Sequence, residues 1–202
     1  MSDAKLKTKI KKLFREQLEP IGFTLNRARI PERKLIGIRQ GIEFQPGTGH
    51  LNGKYILNVY WSYTHDLDEG FEFSALKRFG RHSTSQDNWF SREEADLEAE
   101  FEIVEALIVK TIIPYLENYN TISKIIESNG NGKLSDTEAF GLDVGWRHYN
   151  QGFCHLMVND KDNAIFHFNE VISKHSNYPY EWVRKRKSST IEMITRIQTK
   201  NP

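Results

Sequence analysis

From Tyr55 to Tyr63 the odd positions are Tyr55, Leu57, Val59, Trp61 and Tyr63, while the even ones, Ile56, Asn58, Tyr60 and Ser62, are mixed. A period of two with large apolar groups on one side marks a strand with a buried face, and such a face must lie against a second layer. The longest amphipathic run in the chain supplies that layer: Leu97, Phe101, Val104, Ile108 and Ile112 trace one stripe, widened by Leu107 and Leu116. An aromatic strand followed by its own covering helix makes the first half of the chain an α+β domain.

The flanking segments complete the layers. Residues 3–19 read as a helix because Leu6, Ile10, Leu13, Phe14 and Leu18 share a stripe opposite lysines, and Pro20 with Gly22 closes it. Phe23 to Ile30 is expected as a first strand, Leu35 to Phe44 as a second and Tyr55 to Tyr63 as a third. Turns are expected at Pro31-Glu32-Arg33 and at Gln45-Pro46-Gly47-Thr48-Gly49. Phe71 to Arg78 would add a shorter fourth strand, and connectors this short favour antiparallel neighbours. Ser91-Arg92-Glu93-Glu94 has the form of a capping box, which would start the long helix at Ser91, with Pro114 kinking or ending it. A short helix, Thr121 to Ser128, then leads into Asn129-Gly130-Asn131-Gly132-Lys133.

That Gly/Asn stretch reads as a linker over residues 129–134 between an α+β domain (1–128) and a three-helix extension (135–202). Ser135-Asp136-Thr137-Glu138 is a second capping box, expected to open a helix through about Met157. Asp160 would cap the next, which carries Ala164, Ile165, Phe168, Val171 and Ile172, and Pro179 would open a last helix to about Thr199. Gly152, Ala164 and Phe168 match the small, small and aromatic positions of a tetratricopeptide-like helix pair. His148 stands where tryptophan is usual, and Val171 where alanine is. One unit makes no solenoid, and the extension is expected to pack on the rest of the chain to cover Ile125, Ile126, Phe140, Trp146 and Phe153. The whole fold expected is an antiparallel sheet of about four strands covered by N-terminal and central helices, followed by a C-terminal helical extension.

Several elements together resemble a known family. They are the helix closing on Pro20-Ile21-Gly22-Phe23, the aromatic strand, Arg78-Phe79-Gly80-Arg81, the pair Trp89-Phe90 after a polar turn, and the helix ending Ile113-Pro114-Tyr115-Leu116. In this order and spacing they resemble the domain of unknown function 4304 family over about residues 5–128. The resemblance implies a small α+β bacterial domain and carries over no catalytic residue.

Charge is nearly balanced overall, at +1, but unevenly placed. Residues 1–65 carry +7, residues 66–105 carry −8 and residues 106–202 carry +2. The acidic block, Asp66, Asp68, Glu69 and Glu72 followed by Glu93 to Glu105, disfavours nucleic acid and suits a basic protein partner; the plainer reading is a solvated face offset by the basic N-terminal half. No run reaches the ~18 apolar residues of a membrane span, and the lysine-rich start has no continuous apolar core of a secretory signal. The lone Cys154 excludes an intramolecular disulfide and fits a cytoplasmic protein.

Apparent chemical motifs mostly dissolve. Gly130 to Ser135 lacks the spacing of a phosphate loop, Asp160 to Asn163 lacks the glycine and glutamate of a calcium loop, and His148 with His155 lacks a third metal ligand. His65 beside Asp66 reads as a polar strand end, and Arg184-Lys185-Arg186-Lys187 as an exposed helix face. No cofactor, metal or catalytic residue is therefore assigned. The candidate binding surface is Arg78, Arg81, His82 and Trp89, where two guanidinium forks near an aromatic could grip an anion, with Asp66, Asp68 and Glu69 on the acidic side. The function expected is a non-catalytic protein–protein interaction or immunity-like module. The alternative is a small-molecule or anion binder, or an enzyme, working through Arg78, Arg81 and Trp89.

Overall fold

Burial of β4 (Lys54–Tyr63) on both faces from Tyr55 onward organises the first half of the molecule. The computed structural model describes residues 2–64, 75–80, 89–93, 95–141, 143–174 and 180–199. Within them the chain divides into two compact units, Met1–Trp61 with Leu76–Asn120, and Ser62–Ala75 with Thr121–Pro202. The division falls after Asn120, ahead of the expected 129–134 linker.

The strands are β1 (Thr24–Leu25), β2 (Pro31–Leu35), β3 (Ile38–Pro46), β4, β5 (Ala75–Phe79) and β6 (Phe90–Ser91), all in the first unit except Ser62–Tyr63 of β4 and Ala75 of β5, which fall in the second. They form one antiparallel sheet in the order β1-β2-β3-β4-β5, with β6 also pairing with β4. The expected fold class holds with six strands in place of four. Three local corrections follow from hydrogen bonding. The expected strand Phe23 to Ile30 is only β1, because Asn26 turns the chain: its side-chain Oδ1 accepts from Ile30 N at 2.9 Å and Arg29 takes a φ of 61°. Pro31-Glu32-Arg33, expected as a turn, is strand β2, with Pro31 as its first residue, where a missing N–H is tolerated. The tight turn lies instead at Ile36-Gly37, inside the expected second strand, and Gly37 supplies the positive φ of 75°. Of the expected fourth strand, residues 71–74 lie outside the described residues and 75–79 are β5.

Helix α1 (Ser2–Leu13) runs on through a π turn (Phe14–Leu18) and a 3-10 turn (Glu19–Ile21) to Gly22, whose φ of 90° ends it as expected. Helix α2 begins at Leu97, not Ser91 (Leu97–Leu107). Ser91 is drawn into β6 opposite Lys54, and its Oγ accepts from Glu93 N at 3.1 Å in a local turn. A π turn, Ile108–Ile112, carries α2 into α3 (Ile113–Asn118), so Pro114 sits in a first turn and the helical arm continues past it.

The wide stripe is buried as expected: Leu97, Phe101, Val104, Ile108, Ile112 and Leu116 share one core with Tyr55, Leu57 and Val59 of β4 and with Leu6, Leu13 and Leu18. Trp61 continues that face against the rings of Tyr115 and Tyr119, at 6.1 and 5.5 Å. Gln40 of β3 caps the arm's end, its Nε2 donating to the Leu116 and Tyr119 carbonyls. Arg33 of β2 donates to Gln40 Oε1 at 2.8 Å and pairs with Glu117.

The second unit contains α4 (Ile122–Gly130), α5 (Asp136–Phe140), α6 (Val144–Met157), α7 (Lys161–Lys174) and α8 (Glu181–Thr199). The supposed linker is an anchored turn: Asn129 Nδ2 donates to the Leu134 carbonyl and to Asp136, and Leu134 is buried. The Ser135/Glu138 capping box forms with both arms, yet its helix stops at Gly141, whose φ is 111°, and Asp143 caps a new helix through Trp146 N at 2.8 Å. One expected helix is thus two. Asp160 caps α7 as expected, and Gly152 of α6 packs against Phe168 of α7.

Candidate functional site

The second face of the sheet is polar and closed on itself. Glu32 of β2 pairs in register with Gly41 of β3, which places both on one face. Tyr60 of β4 lies over Gly41 so closely that a Cβ there would enter its ring at Cζ. Its hydroxyl donates to Glu32 Oε1 at 2.6 Å, and both residues are buried. Burial, and then the Glu32 bond, drive the Tyr60 phenol far above its ordinary pKa. One residue pair along, Asn58 Nδ2 donates to Glu43 at 2.8 Å and to Gln45 at 2.7 Å, and Asn58 Oδ1 accepts from Arg78 Nε at 3.3 Å.

Two members of the expected binding surface are described. Arg78 on β5 is exposed and clamped at Nε by Asn58; Trp89 is half-buried just before β6. Asp66, Asp68, Glu69, Arg81 and His82 lie outside the described residues, as does His65.

The later part of the acidic block is an outward face around α2. Glu93, Asp96, Glu98 and Glu102 are exposed, whereas Glu100 turns inward at 6% exposure. Glu100 adds its charge to burial in raising the Tyr55 phenol. Lys9 of α1 pairs with Glu98; among the described residues, Glu93, Asp96 and Glu102 make no ion pair.

A third cluster lies in the second unit. His148 and His155 share one face of α6, as their spacing of seven residues suggested; that face meets α7, and between them stands His167, which the sequence reading missed because it belongs to another helix. His155 Nδ1 is 2.9 Å from Asp160 Oδ2. Among the described residues no group of three His, Cys, Asp or Glu is placed to hold a metal ion. Cys154 is buried, which pushes its thiol up despite a hydrogen bond with Tyr63. Arg186, expected on an exposed face, is buried over the Trp146 ring, while Arg184 and Lys185 are exposed.

Comparison with protein-family models, curated proteins and solved structures finds no match. Among the described residues no helix is long and apolar enough to cross a membrane.

Proposed function

We propose that this chain is a cytoplasmic, non-catalytic protein–protein interaction module that docks a basic partner on the outward face of α2. The observation that carries the reading is the charge displayed there: of the exposed carboxylates Glu93, Asp96, Glu98 and Glu102, Glu98 alone has an ion-pair partner, Lys9, among the described residues. Unpaired charge of one sign steers association with a partner of the other. Four buried or half-buried groups also accord with a binding role. Tyr60, Tyr55 and Cys154 are shifted up and His167 down, all away from neutrality, the opposite of the tuning that proton-transfer catalysis needs. An immunity-like role and kinship with the domain of unknown function 4304 family accord with this reading.

Affinity capture from an extract of the host, with the native chain and with an Asp96→Asn/Glu98→Gln/Glu102→Gln variant side by side, tests it. A basic protein held by the native chain, released by moderate salt and about tenfold depleted on the variant is expected. Equal retention on both would remove the α2 face from the function.

A second reading is favoured by one observation. Asn58, itself held by Glu43 and Gln45, accepts from Arg78 Nε, which restrains this exposed guanidinium at one nitrogen before any ligand arrives. Such a fork suits a carboxylate or phosphate. Citrate and inorganic phosphate should then shift the Arg78 Nε resonance of the native chain, and Arg78→Lys should weaken the effect about tenfold by losing the two-pronged contact. An unchanged spectrum at millimolar anion would exclude it.

A further inference from the structure

Three imidazoles are stacked where α6 meets α7. His148 and His155 are two helical turns apart on α6, so both face α7, and His167 enters between them. Its ring centroid is 5.4 Å from each, at interplanar angles of 31° and 20°. The Nδ1 atoms of His148 and His167 are 3.1 Å apart. Two ring nitrogens at that separation hold one proton between them: one ring donates and the other accepts. When both rings are fully protonated, N–H faces N–H and cation faces cation.

We propose that this stack makes the α6–α7 pair an acid-sensitive joint, closed while His148 and His167 share a single proton and loosened once both rings are charged. The surrounding charges place the strain on the middle ring. Around His148, Glu170 of α7 and Asp136 of α5 favour a proton, and Lys174 and Arg147 oppose it. Around His167, Asp136 and Asp160 favour a proton, and His155 and His148 oppose it. His155 has Asp160 against its Nδ1, so a charge on that ring is matched where it arises. For the other two, burial is the largest influence: it lowers His148 and, with the neighbouring rings, brings His167 down to about 4. A depressed histidine gives stability that is whole above the ordinary imidazole value of ~6.5 and is lost as pH falls toward 4.

Little slack exists at this contact to absorb the repulsion. A Cβ added at Gly152 would come within 2.5 Å of the buried Phe168 ring, so the helices are in close contact one residue along from the stack. Repulsion between charged rings therefore acts across a tightly packed part of the α6–α7 contact.

Thermal unfolding of the full chain at pH 7.5 and pH 4.0, native beside His167→Gln, tests the joint. Glutamine keeps a donor and an acceptor and cannot charge. The native midpoint is expected to fall about 3 °C further than the variant's on acidification, and equal falls would overturn the proposal. Should the variant not fold, the ring nitrogens of the native chain decide. His167 charging only below about pH 5, with His148 shifting in the same step, supports the joint, whereas His167 charging near its ordinary ~6.5 overturns it.

Discussion

Gly41→Ala is expected to destabilise the first unit by about 3 kcal/mol, although the substitution adds one methyl group to a strand. The cause is Tyr60. Its ring occupies the space a Cβ would take, and because the ring is wholly buried it has nowhere to swing. Overpacking of this kind costs about 1–3 kcal/mol, and the displaced hydroxyl also leaves Glu32, itself buried, without its donor, about 1.5–3 kcal/mol more if the bond is lost outright. Tyr60→Phe separates the two terms, since it removes the bond and keeps the ring. Denaturant unfolding of the single and double variants checks the account: the two changes should be strongly non-additive, because both act through one contact. Additive losses would mean that Tyr60 does not rest on Gly41.

Gly152→Ala is the corresponding experiment in the second unit, and its sign is informative. Alanine in a helix interior is favoured over glycine by about 1 kcal/mol, so propensity alone predicts a more stable protein. The 2.5 Å approach to Phe168 predicts the reverse, a net loss of about 2 kcal/mol, since the ring is fully buried between α6 and α7. Phe168→Leu in the Gly152→Ala background should recover part of the loss by opening space, whereas in the native background it should destabilise. Helical circular dichroism during denaturant unfolding reads all three proteins.

These two glycines also show where the sequence is legible and where it is silent. Alternation from Tyr55 to Tyr63 announced the strand and its core face, and the stripe from Leu97 to Leu116 announced its cover. The second face could not be anticipated, because Tyr60 is buried through a void at Gly41, which the pattern around Tyr60 does not contain. Local signals failed where a distant partner outweighed them. The Ser91 box is a good helix start in isolation, but pairing with Lys54 draws Ser91 into a strand, and the helix begins only at Leu97. At Pro31 the error ran the other way: proline suggested a turn, while Asn26 had already made it. The Ser135 box was read correctly, and only Gly141 cut its helix short.

The acidic face proposed for docking was legible in composition more than in position. The acidic block stood out as a charge run, and α2 displays its later part outward. What the sequence could not show is that, among the described residues, Lys9 pairs with Glu98 and not with its neighbours. Likewise Arg78 was chosen for its guanidinium, but the clamp that orients it comes from Asn58, an even-numbered strand residue with no signal of its own. His148 and His155 were paired by spacing alone, and the ring that completes their stack comes from α7.

The docking face is tested most directly by titrating the isotopically labelled chain with the basic partner recovered by capture and following the backbone amides by NMR at low and moderate salt. The account predicts that the amides perturbed first and most lie at residues 93–102, with shifts that shrink as salt screens the carboxylates. Perturbations confined to β5 around Arg78, or indifferent to salt, would contradict it.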